Sequence, residues 1–172
     1  MRIITPASGG AFGLKMHGHP EEALICLLAM LTKQPVKWIE NREECLLTGG
    51  REHEHEAEFA FDEDGRILAI RDHFLANVGA PGGTPGWGMA FLTGMSMPGP
   101  YDVMNLDVLA GIVATNKPPW SSCRGYGKEV TALVLELGID QAARELDMDP
   151  VELRMKNFVR KEDFPKKSAT GL

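Results

Sequence analysis

The stretch AEFAFDEDGRILAIRDHFLANV, Ala57–Val78, decides the fold. Ala57, Phe59 and Phe61 fall on alternate positions, the spacing that puts side chains on one face of a strand. Asp62-Glu63-Asp64-Gly65 then has turn chemistry: aspartate bonds nearby amides and glycine accepts positive φ. Arg66 to Val78 returns as a long strand, so the segment is a β-hairpin.

Upstream of the hairpin, Arg2 to Thr5 is expected as a short strand and Gly9-Gly10-Ala11-Phe12-Gly13 as a glycine turn leading into a helix. That helix begins near His19-Pro20-Glu21-Glu22, where proline suits the first turn and the glutamates complement the positive helix end. Ala23, Leu24, Leu27, Leu28 and Leu31 follow as an apolar stripe at helical spacing. Pro35 to Glu40 reads as a strand and Arg42 to Leu47 as a short helical stretch.

Downstream, the glycines and prolines from Gly79 to Pro100 predict a long loop, Val103 to Thr115 another strand, and Asn116 to Gly127 a second irregular segment. Glu129 to Leu146 is a helix, apolar nearly all round in its first half and therefore expected to be buried. Asp149-Pro150-Val151-Glu152 has the form of a capping box with proline at the first position, opening a helix with Met155 and Phe158 on one face. The pattern is α+β, mixed strands and helices without a regular βαβ rhythm. No repeat or linker interrupts it, so residues 1–172 are expected to form a single unit.

Composition narrows the function. With 172 residues and 44% hydrophobic content the chain can bury one core. A net charge of -6 without a Lys/Arg cluster argues against nucleic acid or an anionic membrane as partner. The longest apolar run, Ala23 to Leu31, is far short of the roughly 20 residues that span a bilayer. With no leader-like start, the expected compartment is the cytoplasm. Cys26, Cys45 and Cys123 are odd in number and widely spaced, which fits reduced thiols and excludes a four-cysteine cluster. The pairs His17/His19 and His53/His55 have i, i+2 spacing that could clamp a metal, but no third ligand sits at helical spacing, and polar strand and loop positions are the favoured reading. No protein-ligated metal and no catalytic residue is expected within the chain.

Two segments could carry chemistry. Gly9-Gly10-Ala11-Phe12-Gly13-Leu14-Lys15 lets backbone amides approach an anion closely, with a helix following. It has neither the Lys-Ser/Thr of a nucleotide-phosphate loop nor dinucleotide spacing, and an ordinary turn is the competing reading. Ser121-Ser122-Cys123-Arg124-Gly125-Tyr126-Gly127 holds an arginine among small residues between a strand and a buried helix. There it could meet an oxyanion or metal-oxo group, or simply cap strand carbonyls.

Taken in order, the motifs resemble one family. Gly-Gly-x-Phe-Gly-x-Lys at 9–15 precedes Pro20-Glu21-Glu22-Ala23 and Gln34-Pro35-Val36-Lys37-Trp38-Ile39-Glu40-Asn41-Arg42-Glu43-Glu44. Phe61-Asp62-Glu63-Asp64-Gly65-Arg66-Ile67, Asn77-Val78-Gly79-Ala80, Thr115-Asn116 and Arg124-Gly125-Tyr126-Gly127 follow. Asp149-Pro150-Val151-Glu152-Leu153-Arg154 with Asn157, then Ala169-Thr170-Gly171-Leu172, close the series. The set resembles the large, molybdopterin-binding subunit of the xanthine dehydrogenase/aldehyde oxidase family of molybdenum hydroxylases, carbon monoxide dehydrogenase-like large subunits included. The resemblance implies that the chain is the N-terminal portion of a molybdenum-cofactor-binding domain.

Such enzymes oxidise an aldehyde or N-heteroaromatic substrate with water as the oxygen source, and pass electrons to iron–sulfur clusters and usually FAD on partner subunits. A pterin dithiolene holds the molybdenum, and the protein orients it. By resemblance, Gly10, Ala11, Phe12 and Gly13 lie against the cofactor, Arg124 and Gly125 stand beside the metal, and Tyr126 stacks on substrate. Met16 occupies a position that is glutamate in purine-binding members, and Leu92 one that is normally arginine, which implies an apolar substrate pocket. Gly125 stands where copper-containing members place a cysteine, so no bimetallic site is expected. Ala11 replaces the third glycine of the usual triple. The family's catalytic glutamate falls beyond Leu172, so the chain is expected to be inactive without the rest of the large subunit and its iron–sulfur and flavin partners. An autonomously folded non-catalytic fragment or interaction module is the alternative. Either way, the apolar helix from Val130 to Ile139 is expected to drive oligomerisation.

Overall fold

Asp62 makes the hairpin. In the computed structural model, which describes residues 2–47, 52–80 and 86–171, its Oδ1 accepts from the amides of Asp64 at 3.0 Å and Arg66 at 2.8 Å. Gly65, at φ 79°, completes the turn. Strand β1 (His53–Phe61) thus runs antiparallel to β2 (Ile67–Gly79), with His53 opposite Ala76 and Phe59 opposite Ile70. Strand β3 (Leu106–Ala114) pairs on the other side of β2 and parallel to it, Ile70 opposite Leu106 and Phe74 opposite Ala110. The sheet order is β1-β2-β3.

A parallel pair needs a crossover. It is supplied by a helix, Gly86–Met95, inside the stretch read from the sequence as a long loop. The glycines and proline-rich flanks mask it; the buried face made by Gly86, Met89, Ala90 and Thr93 shows why it forms. Residues 81–85 of the expected loop, and Leu172, lie outside the described residues.

In chain order the helices are α1 (Pro20–Thr32), α2 (Arg42–Leu46), α3 (Gly86–Met95), α4 (Lys128–Glu145) and α5 (Pro150–Asn157), followed by a 3₁₀ turn at Lys161–Asp163. Helices α3 and α4 cover one face of the sheet. Beneath α4, Ile67, Ile70, Leu135, Ile139 and Leu153 form the larger core, joined by Met97, Tyr101 and Val103. Beneath α3, Phe74, Ala76, Met89, Ala90 and Trp120 form a second one. The opposite face is solvated and laced by the pairs Arg71–Glu58 and His73–Asp107. The architecture is α+β, as the sequence predicts, with a single βαβ unit.

Several expectations are corrected. Arg2–Thr5 and Pro35–Glu40 are not strands, because nothing among the described residues pairs with them and a strand exists only in a ladder. Helix α1 forms where expected, with His19 and Glu22 in a capping box, but none of its residues is buried. Helix α4 is half-covered: Leu135 and Ile139 are buried while Leu133 and Leu137 face out. Asp149 caps α5 by accepting from the amides of Val151 and Glu152 at 2.8 and 2.9 Å, without a reciprocal bond from Glu152. Phe158, extended beyond the helix end, stacks on Tyr101 while Met155 is exposed, so the two do not share a face.

Candidate functional site

The glycine loop is a pair of tight turns. The Leu14 amide donates to the Ala11 carbonyl and the Met16 amide to the Gly13 carbonyl, both at 3.0 Å. Phe12 (φ 52°) and Gly13 (φ 96°) are left-handed, and the Phe12 ring folds over Gly10, 3.1 Å from where a Cβ there would sit. Among the described residues the amides of Gly10, Ala11, Phe12 and Gly13 have no acceptor. Lys15 pairs with Glu40, tying the loop to the segment before α2.

The arginine loop is the run-in to α4. Gly125, Tyr126 and Gly127 are three successive left-handed residues, at φ 112°, 54° and 95°. That costs about 1 kcal/mol or more at the one non-glycine and is tolerable only where the surroundings over-determine it. They do so here. The Gly127 amide donates to Glu129 Oε2 at 2.8 Å, its carbonyl accepts from Thr93 Oγ1 at 3.0 Å, and a Cβ on Gly127 would strike the Met89 carbonyl at 2.3 Å. Tyr126 leans half-buried on the core beneath α3.

The structure brings the two loops together. The Arg124 amide donates to the Phe12 carbonyl at 2.8 Å. Ser121 Oγ donates to the Leu14 carbonyl at 3.4 Å, and His17 Nε2 is hydrogen-bonded to Ser122 Oγ. Gly13 rests on Ser122, whose carbonyl lies 3.3 Å from the position of a Gly13 Cβ. Both Phe12, 65% exposed, and Arg124 open to solvent. The guanidinium has no carboxylate partner among the described residues. Amides without an acceptor among the described residues and an exposed guanidinium on adjacent loops are the donor types that anionic groups take.

The remaining expected residues are less tightly gathered. Gly10, Ala11 and Met16 belong to the exposed glycine loop, and Gly125 and Tyr126 to the arginine loop. Leu92 lies on α3, half-buried, and no hydrogen bond links it to either loop. The cavity of about 450 Å³ between Tyr101, Val103, Met104, Phe158, Phe164 and Lys166 shares no lining residue with the two loops.

Sequence reasoning overlooked a buried polar chain behind this site. Asp72, fully buried, accepts from His55 Nδ1 at 2.9 Å, and His55 Nε2 meets His53 Nδ1 at 3.2 Å. His53 and His55 stack on Phe74, and His53 stands edge-on to Trp120, directly before the arginine loop. His53 Nε2 and the Trp120 indole nitrogen are buried without partners among the described residues. Burial holds the His53 imidazole down at about 4, with His55 adding to the effect and Asp72 opposing it. The signal was present in the i, i+2 spacing of the histidines, which puts both on one strand face. His17 and His19 are likewise local: His19 Nε2 meets the Leu14 carbonyl at 3.2 Å. No helix among the described residues is long and apolar enough to cross a membrane.

The molybdopterin cofactor-binding domain family matches residues 1–158. The chain is 35% identical to the nicotine 6-hydroxylase large subunit of Paenarthrobacter nicotinovorans, over 99% of this chain and 21% of that protein. It is 33% identical to the carbon monoxide dehydrogenase large chain of Hydrogenophaga pseudoflava, over 96% of this chain and 21% of that one. The crystal structure of quinoline 2-oxidoreductase from Pseudomonas putida 86 superposes with a TM-score of 0.88 at 36% identity, covering 97% of this chain and 22% of that one. The chain therefore spans about a fifth of the length of these relatives.

Proposed function

The chain belongs to the molybdopterin cofactor-binding domain family, and from that premise we propose that it supplies the N-terminal portion of the cofactor site in a molybdenum hydroxylase or dehydrogenase. The observation that carries this reading is the Arg124 amide on the Phe12 carbonyl, which joins the two loops that the resemblance assigns to the cofactor. Residues 1–172 act in it as one partial domain, completed by the rest of the large subunit. When bound, the molybdenum–pterin group supplies a two-electron redox centre that hydroxylates an aldehyde or N-heteroaromatic carbon with oxygen from water.

The chain's own residues bind and orient. The amides of Gly10, Ala11, Phe12 and Gly13, without acceptors among the described residues, would hold the anionic cofactor, beside the Phe12 ring that folds over Gly10. Arg124 adds positive charge, and Gly125, by lacking a Cβ, leaves room for the Glu129 carboxylate that caps Gly127. Met16, Tyr126 and Leu92 would present apolar and aromatic surface to substrate, which favours an apolar heterocycle or aldehyde over a polar oxopurine such as xanthine. The general base comes from the remaining portion of the large subunit, and electrons leave to iron–sulfur and flavin partners.

Elemental analysis for molybdenum on protein purified from its native host, with co-purifying chains identified by mass spectrometry, tests the proposal. Stoichiometric molybdenum with iron–sulfur and flavin subunits is the expected result. Metal-free protein without partners overturns it in favour of a non-catalytic fragment or interaction module.

A further inference from the structure

Ser122 is 1% exposed. A hydroxyl so buried has to find its partner inside the protein, and among the described residues its Oγ meets one group, Nε2 of His17. The same serine forms the floor under the glycine loop: a Cβ on Gly13 would come within 3.3 Å of its carbonyl oxygen and 3.4 Å of its own Cβ. Two residues on from Ser122 stands Arg124, and one residue before Gly13 stands Phe12. The His17–Ser122 pair therefore sits directly beside the backbone bond that joins the loops. An imidazole suits the task, because Nε2 can donate or accept and so satisfies the hydroxyl in either orientation.

We infer that His17 is a positioning residue which, through Ser122, fixes how the glycine loop seats on the arginine loop. It thereby sets where the Phe12 ring and the Arg124 guanidinium stand relative to a bound anionic group. The consequence for the cofactor rests on the function proposed above; the seating itself does not. Neighbouring contacts leave this role to His17. Ser121 holds the Leu14 carbonyl at the long distance of 3.4 Å, and His19 bonds within its own loop.

The test is amide hydrogen exchange, read by NMR on the full 172-residue chain without metal. The Arg124 amide is the reporter, and the Leu153 and Asp102 amides, bonded to the Asp149 and Asn157 carbonyls in the other core, are controls. His17→Ala is expected to lower protection at Arg124 roughly five- to tenfold, the scale of one hydrogen bond, and Ser122→Ala to do the same. The double variant should lose no more than either single one, and His17→Gln, whose amide can reach the hydroxyl, should recover most of the loss. An Arg124 amide unprotected in the wild type, unchanged by either alanine, or subject to multiplying losses in the double variant overturns the inference. If His17→Ala also lowers the controls, Ser122→Ala, which removes one oxygen, decides alone. Loosening at Arg124 in a protein whose native form carries no molybdenum upholds the positioning role and refutes the cofactor reading. Molybdenum present with Arg124 indifferent to His17 does the reverse.

Discussion

The amide of Arg124 donates to the carbonyl of Phe12 at 2.8 Å, and this bond brings together two loops that the whole sheet separates in sequence. It depends on a close backbone approach that side chains can spoil, which sets the first prediction.

Gly13→Ala adds a Cβ at φ 96°, 3.3 Å from the Ser122 carbonyl oxygen. The left-handed conformation alone costs about 1–2 kcal/mol. A denaturant midpoint lowered accordingly, together with a shifted Arg124 amide resonance, is the expected outcome; an unmoved Arg124 resonance would show that the loops do not meet through this glycine.

Gly125→Ala places a Cβ 2.2 Å from Glu129 Oε2, which caps the Gly127 amide at 2.8 Å. The carboxylate has to move, and the start of α4 loses its cap. Destabilisation of about 1–2 kcal/mol is expected, with faster exchange at the Gly127 amide. Retained protection there would contradict the account.

His53 is held at about 4, below the ordinary 6.5. As the pH falls, the unfolded chain takes up this proton before the folded one does. The stability due to neutral His53 is therefore complete above about 6.5 and is lost progressively toward 4. Urea midpoints of wild type and His53→Phe, compared between about pH 7 and about pH 4.5, should diverge, the wild type losing more. Parallel pH profiles would remove His53 from the acid sensitivity.

Asn157, 3% exposed, accepts from the Ile67 amide at 2.8 Å and donates to the carbonyls of Gly65 at 2.8 Å and Leu153 at 2.9 Å. It fastens α5 to the hairpin turn. Asn157→Leu takes this partner from the Ile67 amide and the Gly65 carbonyl, while the Leu153 carbonyl keeps its helical bond, and should cost at least about 2 kcal/mol in equilibrium denaturation. A loss under about 1 kcal/mol would mean that water or rearrangement replaces it.

The elements with clear local grammar were legible. Alternation and an aspartate–glycine turn gave β1 and β2, and proline with capping aspartate gave α5. Helix α3 was hidden by Gly86, Gly88 and Gly94; Gly86 and Gly94 mark close packing against Val78 and Val108, a tertiary fact with no local signature. Arg2–Thr5 and Pro35–Glu40 have strand composition, but a ladder needs a neighbour that periodicity does not supply. Both loops of the site could be named from residue type. Their contact could not, since Phe12 and Arg124 are joined by backbone atoms that carry no residue signature. The pairing of Ser122 with His17 escaped for a related reason: each was named on its own, and only the fold sets the buried serine beside the histidine.

Helix α1 buries none of its residues. At 13 residues it sits at the length where an isolated helix is marginal in water. Its order therefore comes from its cap and its own propensity. On heating, it should unwind gradually and out of step with the sheet, so that this protein has two melting behaviours in one chain: a broad helix–coil slope from residues 20–32 and a cooperative step from everything packed around Ile70 and Leu135.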